Sequence, residues 1–160
     1  MEPRNILDEE RMQAIQLIQE FYTLVNRLEL DPIFGVRPGA ARKMTDLYLK
    51  LQGSGKVYFR GIFEEKKLCS LLVGRIEERP HLKEERTLYL DLAVTRRGKK
   101  KKGYMKVLLS DAEDWCRAKG IPTMELRALL GNKEAISFWN QSRFEPFYLR
   151  YRKIVQEKST

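Results

Sequence analysis

The spacing of apolar residues changes twice along this chain, and that change limits the folds open to it. Up to residue 53 apolar positions recur at a helical period. From 57 to 94 they alternate in twos, and after Gly103 the helical period returns. A chain patterned this way must lay helices on a sheet. Asp8 can cap a first helix, whose Leu17, Ile18, Phe21, Leu24, Val25 and Leu28 share one face. DPIFGVRPG interrupts it with two prolines and two glycines. A second helix follows, with Met44, Leu47, Tyr48 and Leu51 on one side, ending near Gly53. VYFRGIFEE (57–65) and KLCSLLVGRIEER (67–79) predict two strands joined by a tight turn at Glu65-Lys66. After the charged segment RPHLKEER comes TLYLDLAV (87–94), with Leu88, Leu90, Leu92 and Val94 alternating against Thr87, Tyr89, Asp91 and Ala93.

A helix is predicted from Gly103, with Met105, Leu108, Leu109, Ala112, Trp115 and Cys116 as its buried stripe, stopped by Gly120 and Pro122. TMELRALL (123–130) reads as a strand, KEAISFWNQS as a short helix and FEPFYLRYRKIV as a last strand. Hairpins first and a crossover later imply an α/β (α+β) domain over residues 1–160. Its sheet is mixed and mostly antiparallel, with helices on both faces. The 160 residues suit one compact core. No segment is apolar enough to span a bilayer, the charged N-terminus lacks the apolar core of a signal peptide, and no membrane partner is expected. Cys69 and Cys116 lie in apolar periodic segments and read as reduced core thiols, which points to the cytoplasm. His81 is the only histidine and has no ligating neighbour, so no metal is expected. Glu64-Glu65 and Glu77-Glu78 read as turn and edge charges.

Between the strand at 87–94 and the helix lies the densest charge. VTRRGKKKKGYMKVLL (94–109) packs seven cations and two glycines between apolar flanks, in a chain of net charge +9. A helix N-terminus has unpaired N–H groups and partial positive charge, so a phosphate or diphosphate fits there. Gly98 and Gly103 have the spacing of a nucleotide-hydrolysing loop, but Tyr104 and Met105 stand where Lys and Ser or Thr are required. The dinucleotide fingerprint GxGxxG is absent. A nucleic acid held by Arg96 to Lys102 is the weaker alternative, for no reading helix or aromatic platform accompanies the loop.

LDLAVTRRGKKKKGYMKVLLSDAEDWCRAKG resembles the coenzyme A-binding segment of the GNAT superfamily of acetyltransferases. There a strand runs into an Arg/Gln-x-x-Gly-x-Gly/Ala turn and a helix. Here that turn is Lys100-Lys101-Lys102-Gly103-Tyr104-Met105. NKEAISFWNQSRF resembles the family's Asn-x-x-Ala-x-x-x-Tyr-x-x-x-Gly-Phe segment through Asn132, Ala135 and Phe144. The chain departs from the pattern at Lys100 and Met105, at Trp139 in place of Tyr, and at Arg143 in place of Gly. The resemblance implies an acyl-CoA N-acyltransferase-like fold and acetyl-CoA as co-substrate, with direct transfer to a primary amine. The main chain of Leu92, Ala93 and Val94 would pair with the pantetheine arm. Amides from Lys101 to Lys106, through Gly103, Tyr104 and Met105, would cradle the diphosphate. Arg97, Lys99, Lys100, Lys101 and Lys102 would supply charge, while Asn132, Ala135 and Trp139 would border the arm.

The reaction needs a neutral amine. An amine of pKa about 10.4 is almost fully protonated at neutral pH, a deficit of roughly 4–5 kcal/mol. Asp91, on the strand lining the acyl group, is the first candidate base and Glu125 the second. Tyr104 and Tyr89 are candidate acids, since an indole N–H at Trp139 is no useful acid. The acceptor is a small-molecule, peptide or protein amine. A homodimer is expected by analogy with the strand edges of this fold. The rival reading is a non-catalytic module that senses coenzyme A.

Overall fold

A computed structural model describes residues 1–157; the last three residues of the domain expected over 1–160 lie outside the described ones. A strand β1 (Arg4–Asn5) and a 3-10 turn (Asp8–Glu10) precede helices α1 (Arg11–Leu28) and α2 (Ala40–Gly53). Strands β2 (Val57–Glu64), β3 (Lys67–Glu78) and β4 (Arg86–Thr95) follow, then α3 (Tyr104–Lys119), β5 (Met124–Glu125) and α4 (Lys133–Gln141). The sheet order is β1-β2-β3-β4-β5, antiparallel except for the parallel pair β4–β5. The mixed, mostly antiparallel sheet with helices on both faces is as the sequence implies.

Each face has its own core. Ile15, Leu17 and Ile18 of α1 and Ala41 and Tyr48 of α2 pack with Phe59, Leu71, Val73 and Leu92. On the other face Tyr104, Leu108, Ala112 and Cys116 of α3 pack with Tyr58, Leu72, Leu88 and Leu90. Both cysteines are buried and free, as expected. Burial pushes the Cys116 thiol up to about 11, which keeps it unreactive. The Glu65-Lys66 turn also forms as predicted, with both residues left-handed at φ 48° and 67°, the pairing that matches the twist of flanking strands. Gly120 ends α3 in the left-handed conformation at φ 68°, its N–H bonded to Arg117 O at 3.1 Å. Among the described residues no helix is long and apolar enough to cross a membrane.

Several expectations are corrected. Asp8 does not cap α1. It opens the 3-10 turn, where the Glu10 carboxylate takes the Leu7 N–H at 2.9 Å and the Arg4 guanidinium. Leu28 and Leu47 are exposed, the first because α1 runs past its contact with the sheet. The four alternating residues of TLYLDLAV do not share a face. The β3–β4 register breaks between Val73 and Gly74: Val73 pairs with Leu92 and Gly74 with Leu90, leaving Asp91 as an extra residue. That bulge reverses the alternation. Leu88 and Leu90 face α3, whereas Leu92 and Val94 face α1 and α2. Gly74 permits the arrangement, since a Cβ there would lie 2.9 Å from Leu88 Cδ1. Of TMELRALL only Met124–Glu125 forms strand, and FEPFYLRYRKIV forms none. Neither segment finds a neighbour on the outer side of the sheet, and strand structure exists only where a partner completes the ladder.

Candidate active site

β4 and β5 pair only at Leu88–Met124 and Tyr89–Glu125. β4 continues to Thr95 with β3 on one side and, among the described residues, no strand on the other. The edge carrying Leu92, Ala93 and Val94 is therefore open, and it leads directly into the basic loop and α3. The bulge adds a second consequence by turning Asp91 toward α2. Its Oδ2 accepts from the Tyr48 hydroxyl at 3.1 Å and Arg75 Nε at 2.5 Å, and its Oδ1 from Arg75 Nη2 at 3.0 Å. Burial, then the Asp91 charge, pushes the Tyr48 and Tyr22 hydroxyls upward, so both stay protonated donors. Hydrogen bonding to Asp91 raises Arg75 in turn.

Tyr89 and Glu125 stand opposite one another in register, near Asp91. Burial first of all raises the Tyr89 hydroxyl. Glu125 is paired with Arg79 Nη1 at 2.8 Å. Three of the four residues expected to handle protons thus lie on the strands where β4 and β5 part, but Asp91 is held by Arg75 and Glu125 by Arg79. Tyr104 lies elsewhere. Its ring is buried in the α3-side core, and its hydroxyl donates to Glu64 at the end of β2. That hydrogen bond, then burial, pushes Tyr104 up to about 12. Glu64 also takes Lys99 Nζ at 2.8 Å. Lys99 first, then Tyr104, holds the Glu64 carboxyl down at about 2.

The loop between β4 and α3 is pinned at both ends. Arg96 gives its N–H to Cys69 O and its Nε to Leu68 O, each at 2.7 Å. Lys99 and Tyr104 hold the far end through Glu64. Between the anchors Gly98, Lys101 and Gly103 are left-handed, at φ 84°, 66° and 81°. Among the described residues no side chain caps α3, and the N–H groups of its first turn, from Tyr104, Met105 and Lys106, have no partner within the helix. Arg97, Lys100, Lys101, Lys102 and Lys106 are exposed around that turn, and none forms an ion pair among the described residues. Met105 packs against the α3-side core, so its bulk is spent there. A diphosphate suits this combination of free amides and unpaired cations.

Asn132 caps α4, its Oδ1 accepting from Ala135 N at 3.2 Å. Trp139 meets Phe138 and Phe144 edge-on, with centroids 4.9 and 5.2 Å apart. Asn132 thus caps α4, and Trp139 packs against its aromatic neighbours. Glu64, Tyr48, Tyr22 and Arg75 escape sequence reasoning. Glu64 carried a signal, an acid at a hairpin end. Tyr48 reads only as part of a helical stripe, and nothing local marks Arg75.

The chain matches the model of the acetyltransferase (GNAT) family over residues 18–144. No curated protein sequence matches it. It is similar in structure to a mutant of the BH1408 protein from Bacillus halodurans, at 14% identity and TM-score 0.80, covering 98% of this chain and 100% of that one. It is also similar to AAC(6')-Iy in complex with a bisubstrate analog, CoA-S-monomethyl-acetylneamine, at 13% identity and TM-score 0.73, covering 96% and 97%. A third similar structure is glucosamine-6-phosphate N-acetyltransferase from Arabidopsis thaliana, at 14% identity and TM-score 0.69, covering 97% and 98%. The strand with a free edge, the basic loop and the uncapped helix fall inside the matched span, and the chain belongs to the GNAT family of acetyltransferases.

Proposed function

We propose that the protein moves an acetyl group from acetyl-CoA to a primary amine of a small molecule by direct transfer. The observation that carries this reading is the open edge of β4 running into an uncapped helix N-terminus ringed by unpaired cations. The amides of Tyr104, Met105 and Lys106 would hold the diphosphate, with charge from Arg97, Lys100, Lys101 and Lys102. Lys99 would serve indirectly, through its tether to Glu64. The free main chain of Leu92 to Val94 would pair with the pantetheine arm, beside Asn132, Ala135 and Trp139. One N–H there would polarise the thioester carbonyl, a contribution of about 3 kcal/mol to the transition state.

Asp91 is the group we assign to the amine proton. It immediately precedes the open Leu92–Val94 stretch in the chain, and Tyr48 and Arg75 fix its orientation. The amine nitrogen attacks the thioester carbon, the carbon–sulfur bond breaks, and the amine proton passes to Asp91 and from it through water to the departing thiolate, which restores the carboxylate. Glu125 is the alternative base. Tyr104, committed to Glu64, positions the loop rather than donating a proton.

Small amines are favoured because similar structures include proteins described as acting on aminoglycosides and glucosamine 6-phosphate. Thiol release from acetyl-CoA across a panel of aminoglycosides and amino sugars tests the proposal. Amine-dependent release supports it. Coenzyme A binding with no release across the panel would make the protein a sensor, the reading that Trp139 in the tyrosine position favours.

A further inference from the structure

We propose that Asp31 and Arg152 form a latch that holds the C-terminal segment as a strap on the Asp91 side of β4, which makes Arg152 a positioning residue for the acceptor amine. What the strap positions rests on the acetyl-transfer reading; the latch itself does not.

Phe144 ends the packed part of the chain, its N–H on Trp139 O at 3.0 Å and its ring against the indole. Beyond it, residues 145–157 form no regular element. Among the described residues no main-chain hydrogen bond joins them to the rest of the chain. Among the same residues, the side-chain hydrogen bonds that tie this segment to the body all come from Arg152 and end on Asp31, 121 residues earlier. Nη2 donates to Oδ1 at 2.9 Å and Nη1 to Oδ2 at 3.0 Å. Such a two-pronged pair fixes angle as well as distance. A terminal segment without ladder bonds stays ordered only where something ties it down, and this pair is the tie.

Asp31 is seated to receive it. Its Oδ2 also takes the N–H groups of Ile33 and Phe34 at 3.1 and 3.0 Å, so the carboxylate folds the loop between α1 and α2 around itself. Asn26 braces the same loop, accepting from Val36 N at 2.7 Å and donating to Val36 O at 2.9 Å. The loop also lies against the turn after β5, where a Cβ on Gly131 would be 2.7 Å from Leu30 O. The Asp31 side chain is 19% exposed and that of Arg152 49%. The fixed half of the latch is therefore the loop, and the strap comes to it.

The strap passes over chemistry already described. Leu88 and Leu90 face α3, so Tyr89 between them points to the opposite side, as Asp91 does. The charges of Asp91 and Tyr148 both act on the Tyr89 hydroxyl, which places Tyr148 of the strap beside Tyr89. The loop that holds Arg152 joins the helices carrying Tyr22 and Tyr48, whose hydroxyls also feel Asp91. Phe147 and Tyr148 are 65% and 61% exposed, and their ring faces can take the carbon body of an acceptor. With the latch shut they form one wall for the amine. With it open the wall is lost, while coenzyme binding and proton handling remain with other residues.

Two variants of the full chain test this. Arg152→Glu sets like charges against each other and opens the latch, whereas Arg152→Lys keeps a charged contact. Amide nitrogen relaxation is the first readout. Residues 146–153 are expected to be ordered in the native chain and in Arg152→Lys, and mobile on the nanosecond scale in Arg152→Glu. Steady-state kinetics with amines from the panel above is the second. KM for the amine should rise about fivefold in Arg152→Glu and stay near the native value in Arg152→Lys, with kcat and KM for acetyl-CoA unchanged. A segment already mobile in the native chain, one that stays ordered in Arg152→Glu, or a mobile segment with an unchanged amine KM would each overturn the proposal. Equal losses in kcat and in KM for acetyl-CoA would also overturn it, as the mark of general disruption. A panel without any turnover would contradict the acetyl-transfer reading and the positioning role with it, while the relaxation result still decides the latch.

Discussion

At the residue scale, the carboxylates at two places do different work. Asp91 immediately precedes the open edge in the chain and is held by Tyr48 and Arg75, and the Asp91→Asn variant should keep the Tyr48 contact while losing the ability to take a proton. Its kcat with a small amine is expected to fall on the order of 10²-fold, with KM for acetyl-CoA little changed. Equal loss in kcat and in coenzyme affinity would show a structural role instead. Glu64 is a tether, not a base. Because its carboxyl is held at about 2, below the ordinary 4.5, its ionised form favours the folded loop. The sign follows directly: this contribution is complete above pH 4.5 and is lost as the pH falls toward 2. The partner hydroxyl gives a cleaner readout. Tyr104 should titrate at about 12 in the native chain and drop toward 10 in Glu64→Gln, measured by NMR of carbon-labelled tyrosine. An unchanged Tyr104 would remove Glu64 as the tether.

At the element scale, the bulge in β4 decides what the site can be. A strict alternation over TLYLDLAV would send Asp91 to the face away from Leu90 and Leu92 together. The extra residue instead splits the apolar set between both faces. Period counting cannot see this, because both faces of β4 are covered by helices and apolar residues suit either. The bulge depends on Gly74, where a Cβ would sit 2.9 Å from Leu88 and 3.0 Å from Leu90. Gly74→Val should therefore destabilise the domain by about 1–3 kcal/mol in urea unfolding. No change would mean that the strands adjust freely there. Arg143 poses the converse case. It holds φ 68°, a conformation that glycine adopts freely, and a side chain there costs about 1 kcal/mol. Arg143→Gly should raise stability by about that amount. Loss of stability would show that the Arg143 side chain contributes more than its backbone strain costs.

At the scale of the whole molecule, the sequence discloses what is local and misses what pairs over distance. The helices, the Glu65-Lys66 hairpin and the Gly103 start of α3 each rest on neighbouring residues, and each was legible. The uncapped helix and its cationic loop were legible too, because glycine spacing and charge are sequence properties. Glu64 was not, since it meets Tyr104 across 40 residues. Nor were the short β5 and the unpaired tail, whose strand-like composition says nothing about whether a partner is present. The site's existence depends on that global geometry. Its central feature is a β4 edge left open beside the free amides of α3. Amide NMR shifts of the full chain on titration with desulfo-coenzyme A test it most directly. The largest changes are expected at Leu92 to Val94 and at Tyr104 to Lys106, persisting in moderate salt. Shifts confined to lysine side chains and abolished by salt, with the β4 edge unmoved, would contradict the assignment.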